Sequence, residues 1–202
     1  MILKNQMQPI IDSKDVIALL DALAIELARA NTHLHFFGSL REHHNELTVA
    51  EDFWNYTLSA HFGIVLVQLA RIYDTTNSGK NEGVNLLYIL RCVGKAQLDE
   101  ARRQSFECYL KCCAKNDPLV NNINQWRNNI FAHYNRQVAL GGREDFWSKV
   151  PLDLPGCQNL IDRAFQILEW SSVVLGRPRI YQKFADGKDS YQIVLDALRL
   201  KS

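Results

Sequence analysis

Apolar residues recur at intervals of three and four along almost the whole chain, and two-residue alternation is nearly absent. A chain patterned this way has one way to bury its apolar surface, which is to pack helices against helices. The expected fold is therefore all-α, a helical bundle with an antiparallel helix pair at its centre. The 202 residues suit a single helical domain over 1–202. A chain of that size buries roughly 70% of its extended-chain surface, enough for a core without staples.

A first helix is expected to start near Asp12-Ser13, with Val16, Leu19, Leu20, Leu23, Leu27 and Leu34 inward, and to run toward Arg41–His44. Thr48-Val49-Ala50-Glu51 reads as a capping box opening a second helix, which continues through Phe53, Trp54, Tyr56 and Phe62 to Tyr73-Asp74. After Phe62 this helix is apolar almost all round, the mark of a central helix. A polar loop at 75–81 separates it from a helix at 84–93 that ends at Gly94. Residues 96–115 read as the next helix. Asp117-Pro118 is a stop-and-restart signal, with the aspartate capping and the proline in the first turn. The helix it opens carries Leu119, Ile123, Trp126, Ile130, Phe131, His133 and Tyr134, and stops at Gly141-Gly142. The stretch through Pro151, Pro155 and Gly156 reads as loop, followed by a helix at 158–175 and a short last one at 191–200.

The net charge of +1 gives no global attraction to nucleic acid, so an RNA-binding role has to rest on local patches. Two groups of cations qualify, Arg102, Arg103, Lys111 and Lys115, and Arg177, Arg179, Lys183 and Lys188; a solvated face is the plainer reading of each. The N-terminal stretch MILKNQMQPIIDSKD lacks the pattern of a signal peptide, and no apolar run approaches the ~20 residues of a membrane span. A cytoplasmic protein without membrane contact is expected. Five cysteines in no CxxC pair read as reduced and structural, with Cys108 and Cys112 on one helix face as small buried apolar groups. HExxH, HxxxH, P-loop and GxSxG motifs are all missing, and His33 and His35 diverge on a helix, so no metal site is expected. Trp54, Trp126, Trp147 and Trp170 read as core or dimer-interface anchors.

One segment carries chemistry. In Arg127-Asn-Asn-Ile-Phe-Ala-His133 an arginine followed by a polar residue precedes a histidine, with five residues between them, near the end of a late helix. A second patch, Ala70-Arg-Ile-Tyr-Asp74, lies at the end of the second helix. Together they resemble the HEPN superfamily, in particular its abortive-infection U-type (AbiU-like) branch. The resemblance implies a HEPN-like helical bundle with its core at about 12–175, leaving a C-terminal helical extension at 176–202 unexplained. It also implies a metal-independent endoribonuclease without cofactor, acting as a toxin or phage-defence effector. Such enzymes cleave RNA at a homodimer cleft where motifs of both chains converge, and a cognate antitoxin is a possible partner. Attack of a ribose 2′-hydroxyl on the adjacent phosphate needs a group that titrates near neutrality and a fixed cation for the developing charge. The resemblance assigns these roles to His133 and Arg127, with Asn128 orienting the histidine or the phosphate.

Helix geometry adds a constraint. Six steps of about 100° set His133 roughly 120° around the helix from Arg127, so one ideal helix cannot aim both at a single phosphate. Either the helix ends or distorts between them, or a second chain completes the site. Asn129 lies four before His133 and competes with Asn128 as its partner; Tyr134 follows. Arg71 and Asp74 read either as a salt-bridged helix end or as site residues, with Asp74 orienting Arg127 or His133. The rival functional reading is a non-catalytic HEPN-fold partner, antitoxin-like or a nucleotide-binding regulatory subunit.

Overall fold

The computed structural model describes residues 13–75, 83–132, 146, 148–185, 192, 193 and 196. Among these the regular structure is entirely helical. The expectations for His133, Tyr134, Trp147, Lys188 and the Gly141-Gly142 stop lie outside the described residues, as does most of the loop expected at 75–81. Helix α1 is Ser13–Glu42, about 45 Å long at 1.5 Å per residue. A 3-10 turn at His44–Ala50 leads into α2, Glu51–Ile72. Then come α3 (Leu86–Val93), α4 (Glu100–Cys112), α5 (Pro118–Trp126) and α6 (Leu154–Val174).

The antiparallel pair is α1 with α2. Near their connection Leu40 and Leu47 cluster with Trp54 and Leu58; farther along, Phe37 stacks on Phe62 at 4.8 Å between ring centres. The expected capping box does not form. Ala50, with no side-chain hydrogen bond, is the N-cap of α2, and Thr48 Oγ1 donates to the Asn45 carbonyl instead. Burial of Leu47 under that small cluster fixes the turn, so packing overrides the local cap.

Helix α2 is not enclosed, contrary to its pattern. Phe62, Val65, Leu66, Leu69, Ala70 and Ile72 are buried, but Phe53, Tyr56, Ile64 and Val67 are exposed. The more enclosed helix is α6, which buries Leu160, Ile161, Ala164, Phe165, Ile167 and Leu168 against α1 and α3. It starts earlier than expected because Asp153 caps the Gly156 amide at 2.8 Å and Pro155 sits in its first turn, where a missing N–H costs nothing. The expected helix at 96–115 shortens to α4, capped by Asp99.

Gly94 ends α3 with right-handed φ of −64°, and close approach explains the glycine: a Cβ there would lie 2.6 Å from Phe106 Cζ. After α6 the chain turns at Gly176, with φ of 70°, and residues 177–185 run back across α6 and α1. Their fastenings are Arg179 N to Ser172 Oγ, Asn31 Nδ2 to the Lys183 carbonyl, and Ala185 N to Thr32 Oγ1. Cys113 and Cys157 are buried, and burial pushes both thiols up to about 12. Cys108 corrects the sequence reading, being exposed on the outer side of α4, while Cys112 is half-buried.

Candidate active site

The site is built where the end of α2 meets α5. Tyr73 follows the last turn of α2 and is almost fully buried. Its hydroxyl donates to the Leu160 carbonyl of α6 at 2.6 Å, and burial raises its pKa well above the usual 10, so it stays a donor. The Tyr73 carbonyl accepts from Asn124 Nδ2 of α5 at 3.3 Å; the same amide donates to the Val120 carbonyl at 2.9 Å. Asp74, the next residue, is thereby placed from two sides.

Helix α5 is held as firmly. Asp117 accepts from the Leu119 and Val120 amides and pairs with Arg163 of α6 at 2.8 Å. Val120, Ile123 and Trp126 are buried, and Trp126 Nε1 donates to the Val150 carbonyl at 2.9 Å with its ring edge-on to Phe146. At Arg127 the backbone changes register: Arg127–Ala132 is a π-helix, with i→i+5 hydrogen bonding in place of i→i+4. Of the two ways out of the geometric constraint, a distorted helix is therefore present, and the distortion begins at Arg127 itself.

The structure brings Arg127 and Asp74 together, with Nη1 to Oδ2 at 3.0 Å and side chains 24% and 27% exposed. The alternative in which Asp74 pairs with Arg71 is not the arrangement found; Arg71 is exposed in the last turn of α2, and Asp74 N donates to its carbonyl at 3.3 Å. Asn128 is exposed, and its Oδ1 accepts from Arg127 Nε at 3.2 Å, so it braces the arginine. Asn129 is half-buried and donates to the Gln125 carbonyl at 2.8 Å. Asp74 and Asn128 thus hold one side of the guanidinium, and among the described residues no partner takes the Nη2 hydrogens. An arginine fixed in this way presents two donors in a set direction, which suits phosphate oxygens. His133 and Tyr134 follow directly after the π segment, outside the described residues.

Asn124 is the positioning residue that pattern reading leaves unmarked, and Tyr73, which lies within the Ala70–Asp74 patch, is given no role there. The available signal is Asn124 itself, an amide on the buried face between Ile123 and Trp126, where it needs a partner. The expected cationic patches are partly consumed: Arg102 lies 3.6 Å from Asp99, Arg179 3.7 Å from Asp21 and Lys183 3.4 Å from Asp162. Among the described residues no group of three or more His, Cys, Asp or Glu side chains could hold a metal ion, and no helix is long and apolar enough to cross a membrane.

No curated protein and no solved structure matches the chain. A family model does, over residues 13–192, past the end of the core expected at 175. That model, HEPN_AbiU2, is described as AbiU2, and it covers α1 to α6, the Asp74–Arg127 pair and the segment 177–185. The chain belongs to the AbiU2 family of HEPN domains and has a HEPN-type, abortive-infection-related role.

Proposed function

We propose that the chain is a metal-independent endoribonuclease of the HEPN type, a cytoplasmic toxin or phage-defence effector active on RNA as a homodimer and restrained by a cognate antitoxin. The observation that carries the reading is Arg127, braced by Asp74 and Asn128 at the start of a π-helical turn, in a chain of the AbiU2 family. π turns inside α-helices concentrate at functional sites. In this reaction the ribose 2′-oxygen forms a bond to phosphorus while the bond to the 5′-oxygen breaks. His133 acts as the acid/base that moves the proton, and Arg127 stabilises charge on the non-bridging oxygens.

The test is expression of the wild-type chain, His133→Ala and Arg127→Ala, with growth and total RNA followed in parallel. Arrest and RNA cleavage by the wild type alone are expected. If wild type and variants are equally inert on every RNA tried, the enzyme reading fails. The second reading, a non-catalytic HEPN-fold interaction or nucleotide-binding partner, is favoured by the engagement of Arg127 with Asp74, which already satisfies part of the guanidinium. It predicts that His133→Ala leaves fold and partner binding unchanged.

A further inference from the structure

His33 of α1 and His61 of α2 face each other across the helix pair, Nδ1 to Nδ1 at 2.7 Å, with ring centres 5.0 Å apart and planes inclined at 41°. Beside them Phe37, four residues on from His33, stacks on Phe62, the residue after His61. Phe36 stands edge-on to both imidazoles, at 6.4 Å from His33 and 5.3 Å from His61. Leu34 and Phe62, chain neighbours of the two histidines, are buried. Apolar packing therefore sets the register of α1 against α2, and that register brings the two rings together. Both rings are half-buried, so solvent reaches them.

We infer that His33 and His61 form a two-point site for an exchangeable divalent transition metal of the nickel(II) or copper(II) class, bridging α1 and α2 with water in the remaining positions. Without the ion, one Nδ1–H donates to the other Nδ1. With it, that proton moves to the Nε2 of its own ring and both Nδ1 lone pairs bind the metal. Burial lowers both pKa values, and His33 lowers that of His61 further, so the neutral rings a metal requires predominate at pH 7.

Distance selects the class of ion. At a metal–nitrogen distance of about 2.1 Å, neighbouring positions at 90° set two nitrogens about 3.0 Å apart, and tetrahedral positions about 3.4 Å. The observed 2.7 Å lies nearer the first, the square-planar or octahedral arrangement of nickel(II) and copper(II). Rotation of the rings about χ2, a torsion with a broad minimum, opens the gap with the helices in place. Magnesium and calcium, which take oxygen ligands, do not fit. Among the described residues no third His, Cys, Asp or Glu joins the pair, so the ion is exchangeable. Reading along one helix misses the site, because its ligands come from two helices, 28 residues apart. His61 lies roughly 20 Å along α2 from Asp74, so the ion clamps the helix pair and takes no part in chemistry at Arg127.

Thermal melts of the full-length chain at neutral pH, with and without Ni2+, test the site. With free Ni2+ about a hundredfold above its dissociation constant, the melting temperature should rise by about 5–10 °C, and Mg2+ should leave it unchanged. His33→Gln and His61→Gln should each abolish most of the rise and raise the calorimetric dissociation constant for Ni2+ at least about tenfold, with helical circular dichroism unchanged. His35→Gln and Cys108→Ser should keep the rise. A second readout leaves both histidines in place: pulsed electron paramagnetic resonance of the Cys108→Ser chain, loaded with less than one equivalent of Cu2+, should show the remote nitrogens of two imidazoles. No rise with Ni2+ in the wild type, a rise that survives either glutamine, an equal response to Mg2+, or Cu2+ held by fewer than two imidazoles would each overturn the proposal.

Discussion

Replacing Asp74 by Asn and Arg127 by Gln, singly and together, measures how firmly the candidate catalytic arginine is held. The charged atoms are 3.0 Å apart and the side chains about one quarter exposed. At an effective dielectric near 20, attraction across that gap is roughly 5 kcal/mol. Most of it is offset by stripping water from both groups and freezing two side chains. Exposed pairs retain up to about 1 kcal/mol, and breaking a fully buried pair costs about 3–5 kcal/mol. A pair one quarter exposed lies between, so the expected coupling is about 1–2 kcal/mol, equivalent to roughly 3–6 °C in melting temperature for a chain of this size. Urea unfolding of the four proteins in a double-mutant cycle reads it directly. The cycle of Asp74→Asn with Arg71→Gln serves as control and should give none. Coupling below about 0.3 kcal/mol for Asp74 and Arg127, or an equal value in the control, would refute the assignment of the pair.

Two further outcomes follow from the packing. Gly94→Ala drives a Cβ to 2.6 Å from the Phe106 ring, which stacks on Trp170. It should cost about 1–3 kcal/mol in urea unfolding, with substantial recovery on adding Phe106→Leu; a neutral Gly94→Ala would show that the ring moves freely. His33 and His61 touch through their Nδ1 atoms at 2.7 Å across α1 and α2. Burial lowers both pKa values, and the His33 charge lowers that of His61 further. The unfolded chain therefore takes up these protons first, near pH 6.5, so their contribution to stability is present above that pH and lost as pH falls through the lower folded-state values. Thermal melts between pH 7.5 and 5 should show the drop, and it should be smaller in His61→Gln.

How much of this was legible in the sequence follows the range of each interaction. Asp117-Pro118 signalled the start of α5 because a cap is a matter of adjacent residues, and the length of α1 followed from an unbroken period. Thr48 misled because its capping geometry competes with Leu47, whose burial is decided by residues of two other segments. Arg71 and Arg127 offered Asp74 equivalent charges in the sequence; choosing between them needs the position of α5, more than fifty residues on. The π turn spans too few residues to disturb a periodicity. The apolar pattern of α2 reads as a helix enclosed on all sides, whereas Phe53, Tyr56, Ile64 and Val67 face outward, because a pattern records which residues are apolar and not which faces the neighbouring helices reach.

The π turn also makes residue count a mechanical quantity. Between Arg127 and Ala132 the helix holds more chain per turn than α register requires. Substitution within the segment leaves that surplus in place. Deleting a single residue removes the surplus and lets the segment relax into an ordinary helix, so the chain absorbs the lost residue locally, and what disappears is the wide turn that sets Arg127 beside Asp74 and Asn128. A one-residue deletion here is thus a probe of the turn itself, separate from any change of side chain.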